Sequence, residues 1–455
     1  MEVAVYCGKI YSWTNEVCNH SGYTVLDYNS VKDWVNSHGE GDYLIFGTDV
    51  MPYSLYDYPK RPISETLIFK FMERGGTVIW AGDIPFYYVD KEGKKEEIFK
   101  NANPFPFIPQ NFEHRPVSNT SENTIVGEML EYEHKDSWRP VGIHPLLIPI
   151  SKVSENSYST WIYKHGKGKF VRVYDSPYVN AKYVLSLPER LSKLGIGIRI
   201  RNFRRFSDFK MVLPKIKIGV IIGKNNVGKT SILEALAMLG NNADKIKKFR
   251  GKITDGFSET ELFLNYEYYK SKFSDSKVEN DLIANVILIY SHLTDEVPEV
   301  SSSLLKKVTD LLSYFDPNIF YVYNSPSGIR VLFKDKTDIS INELGYGYRS
   351  LINFVISYLV YQPKIILIDD LEGFAFHPEL LKAFYDFLLK LDAELILITT
   401  QSSDVYYYLA SKNSDDVRFI LINENYEVLT SEEALNIAEY EDLRYRVLKG
   451  SGGSH

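Results

Sequence analysis

The chain has 455 residues, 44% of them hydrophobic and 24% charged, and a formal net charge of −7. This length exceeds what one hydrophobic core usually holds, so two or three domains are expected, and no stretch reaches the roughly 18 uncharged apolar residues of a membrane span. The negative charge argues against a protein that coats nucleic acid with its whole surface, and two cysteines, Cys7 and Cys18, predict a reducing, cytoplasmic compartment without a disulfide framework.

In the first part of the chain, the pattern of apolar residues predicts short strands that alternate with short helices. Strands are predicted at 3–6, 23–26, 43–46 and 77–80, and helices at 31–35 and 63–72. This alternation favours a parallel sheet. The segment 101–150 is rich in Pro and polar residues and is predicted to be irregular. A hairpin is predicted at 161–174, turning at His165-Gly166-Lys167-Gly168.

The stretch ERGGTVIWAGDIPF at residues 73–86 resembles class I glutamine-amidotransferase-like (flavodoxin-like) α/β domains, over about residues 1–180. Those amidases place a nucleophilic Cys on a tight turn after a strand, because a thiolate nucleophile must be exposed there. Here the strand is followed by Ala81-Gly82-Asp83, so we expect a non-catalytic sensor or docking domain. Asp83 is interpreted as a turn-capping residue, with a functional acid as the alternative.

The run GKNNVGKT at residues 223–230 fits the phosphate-binding pattern G-x-x-x-x-G-K-[ST]. An apolar strand precedes it at 216–222, and apolar residues at helical spacing follow it at 232–239, which disfavours a chance glycine turn. Backbone N–H groups and the helix dipole would face an anionic phosphate chain. The pattern predicts ATP binding by Gly223, Asn225, Asn226, Gly228, Lys229, Thr230 and Ser231. Lys229 would contact the β- and γ-phosphates, and the Thr230 hydroxyl would be a ligand of Mg²⁺.

A second motif, KIILIDDLE at residues 364–372, is an apolar strand that ends in carboxylates. With the alternating strand pattern IGIRIRNFRRF from residue 196 and the phosphate loop, it resembles ABC-type ATPases of the SMC-like and OLD (overcoming lysogenization defect) group. The resemblance implies that Asp369 is the Walker B carboxylate acting on Mg²⁺. Asp370 stands where the family usually has the Glu that orients the attacking water. Because Asp is one methylene shorter, we expect slow hydrolysis.

Two further motifs depart from the family pattern. ELGYGYRS at residues 343–350 resembles the ABC signature, which binds the γ-phosphate held by the opposite subunit, with Gly345 in place of the usual Ser and Gly347 beside it. LILITTQSSD at 395–404 places Gln401 where the family has its switch His, and Gln cannot carry charge or relay a proton. No Gln lies between 231 and 361, so a Q-loop residue is absent. Weak turnover is predicted, whereas ATP binding is not affected.

Two groups of basic residues are candidates for contact with nucleic acid. The first is Lys245, Lys247, Lys248, Arg250 and Lys252; the second is Arg199, Arg201, Arg204 and Arg205, interleaved with Phe203 and Phe206. Such residues can bind a phosphodiester backbone. The alternative is a solvated surface, with the two Phe side chains in the core of the sheet. The insertion at 255–335 is too short for a long coiled-coil arm.

The sequence thus predicts an α/β protein with three parts: an amidotransferase-like domain at 1–190, an ABC-type P-loop ATPase domain at 191–449 and an appended tail at 450–455. The leading hypothesis is a cytoplasmic homodimeric switch that uses ATP and Mg²⁺ in DNA processing, repair or antiviral defence. Lys229, Asp370 and Gln401 are its predicted catalytic residues. DNA or a nuclease or effector protein is the candidate partner, and no membrane is expected. The alternative is an ATP-binding scaffold that hardly hydrolyses; a transporter motor is disfavoured because the Q-loop residue is absent.

Overall fold

The computed structural model describes residues 1–11, 16–19, 22–98, 105, 122–133, 137, 139–154, 157–174, 179–291, 300–423 and 425–446. The chain divides into two compact units. The first is Met1–Gly197 with Tyr266–Tyr268, and the second is Ile198–Asn265 with Tyr269–His455. The division falls a few residues beyond the predicted boundary at 190. The predicted tail at 450–455 lies outside the described residues.

The first unit is built on a mixed sheet with strand order β2-β1-β3-β5-β12-β11-β10-β8, in which β9 also pairs with β11. The strands from β2 to β12 in this order are parallel. From β12 onward, through β11 and β10 to β8, each strand is antiparallel to its neighbour. A smaller sheet has the order β4-β6-β7. The strands are β1 (Val3–Tyr6), β2 (Thr24–Leu26), β3 (Tyr43–Phe46), β4 (Met51–Pro52), β5 (Thr77–Ala81), β6 (Tyr88–Lys91), β7 (Lys94–Glu97), β8 (Glu122–Asn123), β9 (Val141–Gly142), β10 (Leu147–Ser154), β11 (Ser157–His165) and β12 (Gly168–Val173).

Short helices cover this sheet. They are α1 (Val31–Ser37), α2 (Leu67–Glu73), α3 (Ile125–Met129) and α4 (Ala181–Ser192). The predicted parallel strands and the β11–β12 hairpin are confirmed. The predicted helix at 63–72 is instead a 3-10 turn, Ile63–Glu65, followed by α2. The prediction of irregular structure is wrong for α3 and β10, because the buried hydroxyl of Thr124 caps α3 and donates to the carbonyl of Pro149, a contact that only the tertiary structure supplies.

The expectation of no disulfide is wrong, because Cys7 and Cys18 are joined. Cys7 directly follows β1, and Cys18 lies in the 3-10 turn Glu16–Asn19. The two sulfurs lie over Gly47 at the end of β3, where an added Cβ would come within 2.3 Å of the Cys18 Sγ. A spacing of eleven residues gave no signal of this pairing, since the chain must first fold back over the sheet edge.

Asp83 follows β5 and acts as a local capping group. Its carboxylate accepts the backbone N–H of Ile84 over 2.8 Å and lies 3.3 Å from the guanidinium of Arg139. Its backbone carbonyl accepts the indole N–H of Trp80 over 2.8 Å. These contacts agree with the turn-capping interpretation of this residue.

The described part of the second unit contains three sheets. A six-stranded sheet has the order β19-β23-β24-β15-β25-β26, parallel except for the edge strand β26. A five-stranded sheet has the order β14-β13-β16-β17-β18, and a three-stranded antiparallel sheet has the order β20-β21-β22. The strands are β13 (Ile196–Phe203), β14 (Phe206–Leu213), β15 (Ile218–Ile222), β16 (Ser258–Leu264), β17 (Glu267–Phe273), β18 (Val278–Asn280), β19 (Val286–Tyr290), β20 (Ile319–Ser325), β21 (Gly328–Phe333), β22 (Asp338–Ser340), β23 (Ile365–Asp369), β24 (Leu395–Thr400), β25 (Val417–Ile422) and β26 (Tyr426–Leu429).

Helices pack on the six-stranded sheet because its central strands are apolar on both faces. The helices of the second unit are α5 (Lys229–Ala237), α6 (Ala243–Arg250), α7 (Ser302–Phe315), α8 (Tyr346–Tyr361), α9 (Pro378–Lys390), α10 (Ser403–Ser411) and α11 (Ser431–Ala438). Of these, α7 contacts β20 of the three-stranded sheet and α8. The predicted α/β class is confirmed. In the described part of the chain, no helix has the length and apolar character needed to cross a membrane.

Candidate nucleotide-binding site

The order of the parallel strands brings three sequence motifs to one edge of the six-stranded sheet. Strand β24 lies between β15 and β23, with Ile222 opposite Thr400 and Ile368 opposite Ile398. The phosphate loop follows β15, Asp369 ends β23, and Gln401 follows β24. Ligands of open parallel sheets bind at the carboxyl ends of the strands. The three motifs therefore meet where an anionic ligand is expected.

A cavity of about 560 Å³ opens at this edge. It is lined by Arg204, Arg205, Asn225, Asn226, Gly228, Lys229, Thr230, Ser231, Phe249, Arg250, Asp369, Asp370 and Gln401. The structure thus brings together most of the site residues predicted from sequence. Gly223 begins the loop, and its carbonyl contacts Lys229. Gly345 and Gly347 are not among the residues that line this cavity.

The phosphate loop requires glycine immediately before α5. Gly228 has φ +102°, and an added Cβ would lie 2.5 Å from the Phe206 ring and 3.0 Å from Arg205 Cδ. A side chain at this position would be both strained and in collision with its neighbours. The chain then enters α5 at Lys229. The free N–H groups of the first helical turn consequently face the cavity edge.

The ammonium of Lys229 lies inside the loop. Its Nζ donates to the carbonyl of Gly223 over 2.9 Å and to that of Lys224 over 3.0 Å. Burial lowers the pKa of Lys229, while the nearby carboxylates, Asp370 above all, act in the opposite direction. The cation is therefore held next to the place where a phosphate chain would replace its two carbonyl partners.

Thr230 and Asp369 place a hydroxyl and a carboxylate side by side. Thr230 Oγ1 donates to the Asp369 carboxylate oxygens over 2.9 and 3.1 Å, and Thr399 donates to the same carboxylate over 2.9 Å. Burial, followed by the charge of Asp370, raises the pKa of Asp369 to about 6. Mg²⁺ prefers such oxygen ligands beside phosphates. The donor set fits a magnesium ion, with Thr230 and Asp369 as the residues that would hold it.

Asp370 and Glu372 have different environments although they share a motif. Asp370 has φ +54°, its N–H donates to Thr399 Oγ1 over 2.8 Å, and it lines the cavity. Glu372 instead accepts the Thr400 hydroxyl over 2.8 Å and the backbone N–H of Gln401 over 2.7 Å. Glu372 therefore fixes the end of β24. Sequence reasoning missed this role, although the acidic residue stood within the second motif.

Both backbone polar groups of Gln401 form hydrogen bonds with side chains. Its N–H is bound by Glu372, and its carbonyl accepts a guanidinium N–H of Arg444 over 2.9 Å. Arg444 is in turn paired with Asp442 over 2.9 Å. The backbone of Gln401 is thus fixed at the point where this residue lines the cavity. The contribution of Arg444 comes from the C-terminal segment and had no signal in the sequence.

Three arginines line the same cavity as the phosphate loop. Arg204 and Arg205 connect β13 to β14, and Arg250 ends α6. Arg205 also donates to the carbonyl of Asn226 in the loop. These three residues were candidates for contact with nucleic acid, with a solvated surface as the alternative. The fold instead brings both basic groups to the cavity, which their spacing in the sequence does not show. Positive charge from three arginines complements a phosphate chain.

A second cavity of about 340 Å³ adjoins the first and shares Arg204 and Arg250 with it. Its other lining residues are Asn202, Lys252, Ile253, Thr254, Asp255 and Gly256. It offers hydrogen-bond donors and acceptors together with one apolar side chain. This composition suits the nucleoside end of a nucleotide whose phosphates occupy the first cavity.

Many of the other basic residues are engaged within the second unit. Lys245 donates to the carbonyl of Leu288 over 2.7 Å, Lys247 lies 3.6 Å from Asp275, Arg199 lies 2.7 Å from Asp208, and Arg201 lies 3.0 Å from Glu259. Phe203 is fully buried, and Phe206 is 9% exposed. The alternative that both Phe side chains belong to the core is therefore confirmed.

The predicted signature glycines begin α8. Gly345 is the N-cap residue, and an added Cβ there would meet nothing within 4 Å. There is less space around Gly347, because an added Cβ would lie 3.1 Å from the carbonyl oxygen of Ala375. Gly345 therefore presents an open helix N-terminus to its surroundings, whereas Gly347 packs within its own chain.

Comparisons with known proteins support an ATPase assignment for the second unit. Residues 196–327 match the family described as an AAA ATPase domain, and residues 14–192 match the MJECL34 family. The uncharacterized protein MJECL34 of Methanocaldococcus jannaschii is 26% identical over an alignment of 170 residues, with 34% of this chain and 56% of that protein covered. The match thus spans little more than half of that relative. The amidotransferase-like and OLD-like resemblances are tested by neither match and stay predictions.

Solved structures similar to the chain include SMC head domains and an ABC transporter component. The SMC head domain from Thermotoga maritima is 14% identical, with 52% of this chain and 98% of that chain covered and a TM-score of 0.35. The SmcHead bound to the C-winged helix domain of ScpA is 13% identical, with 53% and 100% covered and a TM-score of 0.38. The protein cbiO1 from Clostridium perfringens, part of the ABC transporter complex cbiONQ, is 12% identical, with 54% and 91% covered and a TM-score of 0.34. TM-scores of this size carry no conclusion about activity.

Proposed function

We propose that the chain is an ATP-binding ATPase that acts as a nucleotide-dependent switch. The observation that carries the proposal is the Thr230–Asp369 pair, which joins the end of the phosphate loop to the end of β23 over 2.9 Å beside the buried Lys229. A magnesium-bound triphosphate requires a hydroxyl, a carboxylate and an ammonium close to a helix N-terminus. The AAA ATPase family match at 196–327 supports the same interpretation.

The triphosphate would occupy the larger cavity, and the nucleoside would extend into the smaller one past Arg204 and Arg250. Lys229 would exchange its two loop carbonyls for phosphate oxygens. When bound, Mg²⁺ would neutralise charge on the phosphate oxygens beside Thr230 and Asp369. Asp370 is the carboxylate available to orient the attacking water, because Glu372 is committed to Thr400 and Gln401.

The switch would operate through dimerisation. The open N-terminus of α8 at Gly345 lies outside the cavity of its own chain. A second copy would place this helix end against the triphosphate, because a helix N-terminus attracts anions. Nucleotide state would then control the assembly of two protomers and, through it, a DNA or effector-protein partner.

Light scattering with the Asp370→Asn variant tests this proposal. The variant keeps Lys229, Thr230 and Asp369 and is expected to trap bound ATP, so its mass should double when ATP and Mg²⁺ are added. The matched control is Lys229→Ala, which should remain at the protomer mass. If the mass of Asp370→Asn is the same with and without ATP, dimerisation is not the switch.

A second candidate is a scaffold that binds ATP and hardly hydrolyses it. Three residues favour this alternative: Asp370 is shorter than the usual Glu, Gly345 lacks a hydroxyl, and Gln401 cannot relay a proton. Phosphate release under saturating ATP separates the two functions. A rate well above that of Lys229→Ala supports the ATPase, and a rate equal to it supports the scaffold.

A further inference from the structure

The carboxylate of Glu234 is completely buried, and no step of the proposed reaction uses it. Glu234 lies in the second turn of α5, the helix that begins at Lys229. Burying an isolated carboxylate is strongly unfavourable unless charged partners and hydrogen bonds compensate. The groups that surround Glu234 therefore indicate its role.

Three side chains from different parts of the second unit converge on this carboxylate. Arg250 Nε donates to Oε1 over 2.8 Å, and the Tyr290 hydroxyl donates to the same oxygen over 2.7 Å. Arg204 forms an ion pair with Oε2. Arg250 ends α6, Tyr290 ends β19, and Arg204 begins the β13–β14 turn. One buried anion thus connects the phosphate-loop helix to three segments distant in sequence.

Both arginines that Glu234 holds belong to the walls of the two cavities. Their side chains are 23% and 36% exposed, so each guanidinium retains access to the cavities. Each also lies over the ring of the preceding residue, Arg204 over Phe203 and Arg250 over Phe249, at 4.9 and 4.7 Å from the ring centroids. Two cations and one anion leave a net positive charge on this wall.

We propose that Glu234 is a positioning residue, which fixes Arg204 and Arg250 against the phosphate cavity before the nucleotide binds. The inference rests on the proposed nucleotide function. Arginine side chains have many rotamers, and ordering them only on binding would weaken the affinity for the ligand. Glu234 removes that freedom in advance, and the Tyr290 hydroxyl fixes the carboxylate itself.

The direction in which Glu234→Gln changes the affinity for the nucleotide distinguishes positioning from a simple charge effect. Glu234→Gln removes a negative charge near the cavity, which by Coulomb attraction alone would tighten the binding of a phosphate chain. Loss of positioning acts in the opposite direction. We therefore expect weaker binding from a variant that makes the site more positive.

A double-mutant cycle tests the inference with the full chain. The affinity for a fluorescent ATP analogue in the presence of Mg²⁺ is measured for Glu234→Gln, Arg250→Ala and the double variant. Each single change should weaken binding by about tenfold. The double variant should lose less than the product of the two losses, since Glu234 acts in part through Arg250 and in part through Arg204. Glu379→Gln, which removes an exposed carboxylate paired with Lys382, is the matched control and should bind as the wild type does.

Two outcomes overturn the inference: unchanged or tighter binding by Glu234→Gln, or fully additive losses in the cycle. If Glu234→Gln does not fold, Tyr290→Phe replaces it. That variant keeps the ring packed against Phe249 at 4.4 Å and removes only the hydroxyl that fixes Glu234. It should bind a fewfold more weakly, and unchanged affinity would again overturn the inference.

The same titration separates this inference from the proposed function. If the wild type does not bind the analogue, or if binding survives Lys229→Ala, the proposed function fails and the inference fails with it. If binding depends on Lys229 but is insensitive to Glu234→Gln and Tyr290→Phe, only the role of Glu234 is rejected.

Discussion

At the scale of single residues, Lys229 is the cation on which nucleotide binding is expected to depend. Its Nζ is held by two loop carbonyls, and a phosphate chain would replace both with charge-assisted hydrogen bonds. Lys229→Ala should weaken ATP binding roughly 10- to 100-fold, measured by titration with a fluorescent analogue. Lys224→Ala removes an exposed cation from the same loop and should change affinity much less. Equal losses in the two variants would contradict a specific role for Lys229.

Asp369 provides a pH-dependent prediction at the same scale. Its pKa rises from 3.8 to about 6 in the folded protein, mainly through burial. The folded state therefore binds the proton more tightly than the unfolded state, so this group's contribution to stability decreases as pH rises from about 4 to about 6 and remains unfavourable above that. Asp369→Asn should stabilise the ligand-free protein at pH 7.5 by about 1–3 kcal/mol. It should also abolish the Mg²⁺ dependence of ATP binding.

Urea unfolding at pH 7.5 and pH 4.5 measures this effect. The advantage of Asp369→Asn over the wild type should shrink at the lower pH, where the wild-type carboxyl is protonated in the folded state. Asp415→Asn changes an exposed carboxylate and should show little effect at either pH. If Asp369→Asn is no more stable than the wild type at pH 7.5, the Asp369 carboxylate is not destabilised by its surroundings.

At the scale of secondary-structure elements, the start of α8 allows fold and function to be separated. Gly345 is an N-cap residue with open space around it. Asp and Ser are both good N-cap residues, so Gly345→Asp and Gly345→Ser should fold at least as well as the wild type. Asp would repel a triphosphate carried by a second copy, whereas Ser would add a hydroxyl donor. Light scattering with ATP and Mg²⁺ should show a weakened dimer for Asp and an equal or stronger dimer for Ser.

Thermal unfolding of the two variants provides the control, since a lower melting temperature would indicate a damaged helix. If both variants fold and dimerise as the wild type does, Gly345 does not lie at the nucleotide of a partner subunit.

At the scale of the whole molecule, the described residues form one hydrophobic core within the first unit and another within the second. A ligand that binds only the folded second unit should stabilise that unit, by about 2.7 kcal/mol at a hundredfold excess over its Kd. Calorimetry with ATP and Mg²⁺ should therefore show one transition raised by about 5–10 °C and another, belonging to the first unit, unchanged. Lys229→Ala should remove the shift. An equal shift of all transitions would place the ligand's effect on both units.

The sequence by itself determined the elements that local chemistry specifies. The glycine-rich run before an apolar helix predicted the phosphate loop, because the conformation of Gly228 and the anion affinity of a helix N-terminus are local properties. The apolar strand before Asp369 predicted a buried strand with a carboxylate at its end for the same reason. The hairpin of β11 and β12 also followed from turn chemistry and alternation.

Only the tertiary structure decided which distant residues share a site. Arg204, Glu234, Arg250 and Tyr290 meet because four separate elements pack together, and no spacing in the chain encodes that meeting. Tertiary packing also produces the Cys7–Cys18 disulfide. It likewise produces the hydrogen bonds that Glu372 and Arg444 form with the backbone of Gln401. A local pattern reports the conformation of a few neighbouring residues, whereas these contacts depend on strand order and packing, which the whole chain sets through burial of its core.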